Sequence, residues 1–399
     1  MSRPLRQIPA SIWALGFVSL LMDTSSELIH SLLPAFLVGT LGASAAMLGF
    51  IEGAAESLAL IVKIFSGVLS DYLGRRKVLA LAGYGLAALS KPLFALAAGP
   101  GWVLGARLID RTGKGLRGAP RDALVADIAP PHLRGAAFGL RQALDTVGAF
   151  VGPLLAIGLM LLLADHYRSV FWFAVIPALL SVMLLLFGVR EPEHRRDGKP
   201  TNPIALASLK RLHAHYWWVV VFGALFMLAR FSEAFLVLRA RQGGLGDAWL
   251  PLVFVAMNVV YALTAYPFGK LADTMRHTTL LKYGLLLLIA SDIVLGISSH
   301  LAVVFSGIVL WGLHMGLTQG LLATMVAGAA PADLRGTAFG FFNLCSGAAM
   351  LGASVVAGEL WEHLGPAYTF HGGAAFAVVA LLIIALNDKP APEAGEVGR

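Results

Sequence analysis

Charge is what this sequence has least of. Asp, Glu, Lys and Arg make up only 13% of its 399 residues, while 58% are hydrophobic; a soluble globular domain carries about 25% charged residues. A soluble fold of this length buries a large core but still needs a polar exterior, and too few polar residues are present to cover one. The bilayer is the natural solvent. Cysteine is almost missing: Cys345 stands alone, which excludes an internal disulfide and a cysteine-held metal cluster. The eleven His lack ligand spacing, so neither a metal site nor a cofactor is expected. No GxxxxGK[ST] loop occurs, which argues against direct use of ATP. The net charge of +7 does not signal nucleic acid, because the basic residues sit in short connections or inside apolar runs rather than on an arm. The first apolar run exceeds the roughly 7–15 residues of a signal-peptide core and is read as a retained anchor.

Long apolar runs are what the chain has in abundance. A spanning helix needs about 20 mostly apolar residues. Twelve segments qualify, near 11–38, 46–70, 78–98, 102–127, 135–163, 168–189, 216–238, 248–271, 279–298, 301–329, 336–361 and 366–387. The expected fold is an all-α membrane protein of twelve transmembrane helices. Residues 190–215 form the one long polar interruption, a linker with an amphipathic piece near 203–213. It separates an N-terminal six-helix bundle, 1–189, from a C-terminal bundle and short tail, 216–399. With the N-terminus inside, most Lys and Arg outside the spans fall on the cytoplasmic side, and only Arg168, Arg239 and Arg241 lie opposite. The positive-inside rule therefore predicts a multi-pass protein of the cytoplasmic membrane with both termini in the cytoplasm.

A repeat supports the two halves. APPHLRGAAFG at 129–139 and APADLRGTAFG at 330–340 agree at eight of eleven positions, 201 residues apart, and GVLSD at 67–71 has a weaker counterpart in GKLAD at 269–273. Transporters commonly place their substrate between such halves.

The scarce charges concentrate where a bilayer tolerates them least. On a helical wheel Arg107, Arg111, Lys114, Arg117 and Arg121 of span four share one face with Asp110 and Asp122. Each cation at mid-membrane costs about 2.5–3.5 kcal/mol on the insertion scale, so five facing lipid would cost about 12–17, comparable to a whole fold's net stability. The stripe must face protein or water. Internal pairing, such as Asp110 with Lys114 or Arg141 with Asp145, is the bland account. Five cations and two anions cannot neutralise themselves, which leaves room for carboxylates on other spans or for an anionic substrate. Span one offers Asp23, Glu27 and His30 on one face; span two adds Glu52 and Glu56 at i, i+4. Span seven carries Arg230 and Glu233, and span ten Gln319 and His314. A buried carboxylate can gain or lose a proton as a cationic partner moves, which is what ion coupling requires. His30 and His314 on their own are more in keeping with packing than with binding.

The stretch GVLSDYLGRRKVL at 67–79 resembles the cytoplasmic signature of the major facilitator superfamily, through Gly67, Leu69, Asp71, Gly74, Arg75, Arg76 and Leu79. Tyr72 replaces a frequent Arg. The resemblance implies a latch in which the Asp and Arg join an acidic residue at the end of span four, here Asp127. The second-half copy, GKLADTMRH, lacks the Gly and the paired Arg and should latch less strongly. Arg107 occupies the place of the superfamily's span-four Arg, often linked to proton coupling. GAFVGP at 148–153, through Gly148, Gly152 and Pro153, is similar to the span-five antiporter signature.

The expectation is a secondary transporter, not an enzyme. It would work by alternating access, be coupled to protons, act as a monomer, and export an organic anion or drug-like compound. Uptake of an organic anion or metal chelate is the nearest alternative. A different class, a Mg²⁺-dependent intramembrane prenyl transferase, could use the carboxylate pairs Asp23/Glu27 and Glu52/Glu56. A receptor built on a transporter scaffold would need an output domain that the linker and tail do not supply.

Overall fold

The computed structural model describes residues 7–73, 75–191, 211–272, 274–318, 320–331 and 334–387. Gly74, Gln319 and most of the 190–215 linker lie outside the described residues, as does the side chain of Asp71. All regular structure among the described residues is helical. The first half comprises α1 (Ala10–His30), α2 (Ala45–Leu73), α3 (Arg76–Ala95), α4 (Pro100–Ile128), α5 (Arg134–Leu162) and α6 (Val175–Gly188). The second comprises α7 (Ala214–Leu228), α8 (Leu252–Ala272), α9 (His277–Ile297), α10 (Leu301–Thr318), α11 (Arg335–His363) and α12 (Pro366–Asn387).

Among the described residues, ten helical stretches are long and apolar enough to cross a bilayer. The other two expected spans depart for separate reasons. α4 has the length, 29 residues, but its charges keep it from qualifying on composition. The seventh span, expected as one run over 216–238, is broken: α7 stops at Leu228 and a short helix, Ala234–Gln242, resumes after five irregular residues. α10 is also interrupted, at Gly320, whose φ of 77° is open to glycine without strain; Leu321–Ala329 continues the span.

The sequence duplication is a structural one. α3, α4 and α5 start at Arg76, Pro100 and Arg134, and α9, α10 and α11 each start 201 residues later, at His277, Leu301 and Arg335. α5 and α11 have the same length, 29 residues. Proline sets some of these starts. Pro100 occupies the first turn of α4, where its missing N–H costs nothing, and Pro130–Pro131 forces the turn before α5.

The two halves meet along α2 against α11 and α5 against α8. Glycine makes the first contact close: a Cβ on Gly49 would lie 2.1 Å from the Ser354 carbonyl oxygen, and one on Gly358 would lie 2.6 Å from that of Ala45. These contacts hold the end of the bundle where α2 begins. There Glu362 also accepts from the Ala45 backbone N–H at 2.9 Å, and the His30 and Phe254 rings meet with centroids 5.2 Å apart. The opposite end, the loop face, carries the connection between α2 and α3. Toward it the halves part.

Candidate functional site

The parting encloses a cavity of two adjoining chambers, about 390 and 300 Å³. Both touch Glu27, Glu56, Lys114, Ala149 and Asn258. The outer chamber reaches Lys63, Asp122 and Gln142 toward the loop face, and Lys63 and Gln142 are exposed. The inner chamber ends beneath His30, Phe254 and Ser354, where the halves close.

α4 supplies most of the charge, and its glycines explain how. A Cβ on Gly113 would strike the Gly83 carbonyl oxygen at 2.5 Å, and one on Gly115 the Ala59 carbonyl oxygen at 2.7 Å. Bare backbone on that side lets α4 seat against α3 and α2. Its cationic face then turns to α1, α2 and the cavity, and lipid is avoided.

Carboxylates from α1, α2 and α5 meet that face. At the deep end Arg107 grips Glu52 through both guanidinium and carboxylate, with Nε donating to Oε1 at 3.1 Å. Both side chains are almost fully buried, at 3% and 1% exposure. His30 bridges two carboxylates, with Nδ1 3.3 Å from Glu27 and Nε2 3.4 Å from Glu52. Arg111 lies 3.3 Å from Glu56. Lys91 of α3 donates to Asp110 at 2.6 Å and to the Ser26 hydroxyl at 2.9 Å. Arg107 and Arg111 approach Asp110 from its other side, at 4.0 and 3.8 Å.

Nearer the loop face, Arg117 lies 3.5 Å from Asp23 and stacks over the Tyr84 ring at 4.8 Å. Arg121 and Arg141 hold Asp145 at 3.6 and 3.7 Å, and both approach Asp122. Asp23 and Asp145 both line the outer chamber.

Lys114 differs from its neighbours. It is exposed to both chambers, and among the described residues no carboxylate comes within 4 Å of its amine. Glu27 and Glu56 share both chambers with it, and Asp23 and Asp145 the outer one. Arg117 Nη1 is a buried donor without a hydrogen-bond partner among the described residues.

The facing wall, from the second half, is of another kind. Met227, Met257, Met315, Met350, Phe231 and Phe254 line the inner chamber. Arg230 and Glu233, paired with each other at 3.3 Å in the break after α7, are its only charges among the described residues. Polarizable Met side chains repack around different shapes at little cost.

Sequence reasoning therefore named residues that the fold brings together from α1, α2, α4 and α5, with Arg230 and Glu233 across the cavity. One pairing is corrected: Asp110 bonds Lys91, not Lys114. Lys91 was missed although it stands as a lone cation in an apolar run, a signal of the same kind as Arg107. The Met and Phe wall was not legible, since apolar residues facing a cavity look like core. At the loop face Arg76 pairs with Asp127 and donates to the Ala123 carbonyl at 3.2 Å. Arg75 beside it is exposed. Gly67 sits in ordinary contact with Ala119. Gly148 and Gly152 lie against the α1 backbone, where a Cβ would meet the carbonyl oxygens of Leu20 at 2.5 Å and Thr24 at 2.7 Å, and Pro153 is buried inside α5.

The carboxylate pairs proposed for Mg²⁺ face cations instead: Glu52 and Glu56 meet Arg107 and Arg111, and Asp23 meets Arg117. Sites already answered by cations are poor ligands for a metal.

Comparison with known proteins agrees with this architecture. The chain is 29% identical over 390 residues, 95% of each protein, to an uncharacterized MFS-type transporter of Methanocaldococcus jannaschii. It is 28% identical over 352 residues to the multidrug resistance protein MdtH of Edwardsiella ictaluri, covering 86% of this chain and 84% of that one. Among solved structures, the nucleoside transporter NupG superposes with a TM-score of 0.78 at 12% identity, over 95% of this chain and all of that one. Residues 15–353, and again 244–399, match the Major Facilitator Superfamily, and the chain belongs to that family of membrane transporters.

Proposed function

We propose that this secondary transporter exports an organic anion or drug-like compound in exchange for protons. The observation that carries the proposal is the division of the cavity. One wall is a cation-rich network with Lys114 free of a close carboxylate partner, and the other is methionine and aromatic. An anionic group would be met by Lys114, and an apolar body by the Met and Phe side chains. The proton would be carried among the carboxylates of Asp23, Glu27, Glu52, Glu56 and Asp145, whose cationic partners belong to helices that shift as the halves rock. With the loop face in the cytoplasm, as the distribution of Lys and Arg favours, the cavity opens inward. The Arg76–Asp127 pair would then belong to the cytoplasmic gate. Likeness to proteins named for multidrug resistance supports export over uptake.

Full-length protein in lipid vesicles under an imposed pH gradient tests this with a panel of fluorescent organic anions, cationic dyes and metal chelates. Anion movement opposite to the proton flow, lost in Asp23→Asn, is expected. Movement in the same direction as the protons would overturn export, and transport confined to cationic dyes or chelates would overturn the assignment of the anion.

A further inference from the structure

A carboxyl that the network above does not use lies in the second half. Asp292, in the last third of α9, is 0% exposed, and among the described residues neither of its oxygens has a hydrogen-bond partner. The duplication shows how unusual this is. One repeat earlier stands Lys91, and one repeat after Asp110 stands Trp311. Where the first half has the Lys91–Asp110 ion pair, the second has an acid and an indole. The Trp311 ring is buried, and its N–H is also without a partner among the described residues.

Phe231 accounts for the separation. It sits one repeat after His30, inside the break between Leu228 and Ala234. Its ring packs on Trp311 with centroids 5.4 Å apart. On Gly373 of α12, a Cβ would lie 2.6 Å from the Phe231 ring and 2.7 Å from Asp292 Oδ2, so ring and carboxyl crowd one spot. Phe231 lines the inner chamber, and Asp292 lies behind it.

The charged and titratable groups on the elements packed against α9 do not compensate the acid. From α10, His314 bonds the Gly284 carbonyl at 2.8 Å, two turns away. From α12, His371 crowds Gly296, one turn beyond. Arg239, on the short helix after the break, donates to the carbonyls of Leu295 and Gly296. Arg230 and Glu233 pair with each other. Leu321–Ala329 carries no titratable group. A bare carboxylate in such surroundings is too costly to persist, and something positive must accompany it. A metal ion would need several oxygen ligands; aromatic carbon and a glycine are what the neighbouring side of the site provides.

We propose that Asp292 is a second proton-binding site, closed off from the cavity by Phe231 and opened to it when the break in α7 moves. The inference extends the proton-coupled reading by giving the second half a proton of its own. Protons would then be bound in both halves, and the state of Asp292 would report the position of the α7 break.

The test is infrared pH-difference spectroscopy on the full-length protein in lipid, without any substrate. Wild type is expected to show the carbonyl-stretch band of a protonated carboxyl in apolar surroundings. Asp292→Asn, nearly the same in shape, should lose that band, and Asp292→Glu should keep one. Phe231→Ala should shift the band to lower frequency as water reaches the acid. A spectrum unchanged in Asp292→Asn would overturn the site, and a band indifferent to Phe231→Ala would overturn the gate. Because no transport is measured, either failure is separate from failure of the exporter reading, which the vesicle assay decides.

Discussion

α3 packs on α4 as α9 packs on α10, with the same starts one repeat apart and glycines at matching places. Gly115 seats α4 on α2, and Gly316, 201 residues on, seats α10 on α8, where a Cβ would meet Thr264. The interiors nonetheless differ. Arg107, Asp110, Arg111 and Lys114 of the first half correspond to Ile308, Trp311, Gly312 and Met315 of the second. Backbone packing was retained through the duplication while the side chains on the cavity face changed. The first half thus became an electrostatic wall, and the second an apolar one that carries the Arg230–Glu233 pair, with Asp292 buried behind it. The lesson is that the fold constrains where glycine must stand, and function decides what the opposite face carries.

Mutations at matched positions would break or sharpen this contrast. The largest stability loss is expected at Arg107→Met, which strands Glu52 without its guanidinium partner. Removing one member of a buried pair costs about 3–5 kcal/mol, read as a fall in unfolding temperature in detergent. The double variant Arg107→Met/Glu52→Gln should recover most of that loss, and equal stability of single and double variants would contradict the network. Gly49→Ala comes next. Its new Cβ has no room against Ser354, and overpacking of this kind costs about 1–3 kcal/mol. In a Cys345→Ser background, a cysteine at Ala43, buried near the closed end, should become more reactive to thiol reagents. Ile308→Val, at the counterpart of Arg107, should cost only about 0.5–1.5 kcal/mol and leave pH-dependent transport unchanged. Lys114→Met should have the smallest effect on stability, within about 0.5 kcal/mol. It should weaken binding of an organic anion about tenfold or more in a ligand-stabilisation assay, a loss of about 1.4 kcal/mol. Unaltered anion binding would remove Lys114 from the site.

Much of this was legible in the chain because charge inside a membrane is expensive. Every cation of the α4 stripe could be identified by that cost alone, and the repeat at 129–139 and 330–340 gave the offset that the helix starts follow. What was hidden depends on tertiary neighbours. Asp110 could not be assigned to Lys91 from one helix, because i, i+4 spacing favoured Lys114 equally well. The break at 229–233 carries neither Gly nor Pro, so no local signal interrupts the apolar run; it is held by Ser232, whose backbone N–H donates to the Ser354 hydroxyl at 3.2 Å. Asp292 is one acid in an apolar span, and the cost that marks Arg107 marks it too.

The near-bare crossing of α2 and α11 has a mechanical consequence. Main chain lies close on main chain there, from Ala45 with Gly358 to Ser57 with Gly347, and the short side chains of Ser57 and Ser354 leave little slack to soak up a tilt. Leu73 lies about 24 Å beyond Ser57 at 1.5 Å per residue. A pivot of about 15°, of the size seen when rigid bodies turn about an interface, would swing that tip by about 6 Å while the joint itself scarcely shifts. The crossing behaves as a fulcrum with a long arm, so modest adjustments around a cargo near mid-depth become a wide movement at the mouth.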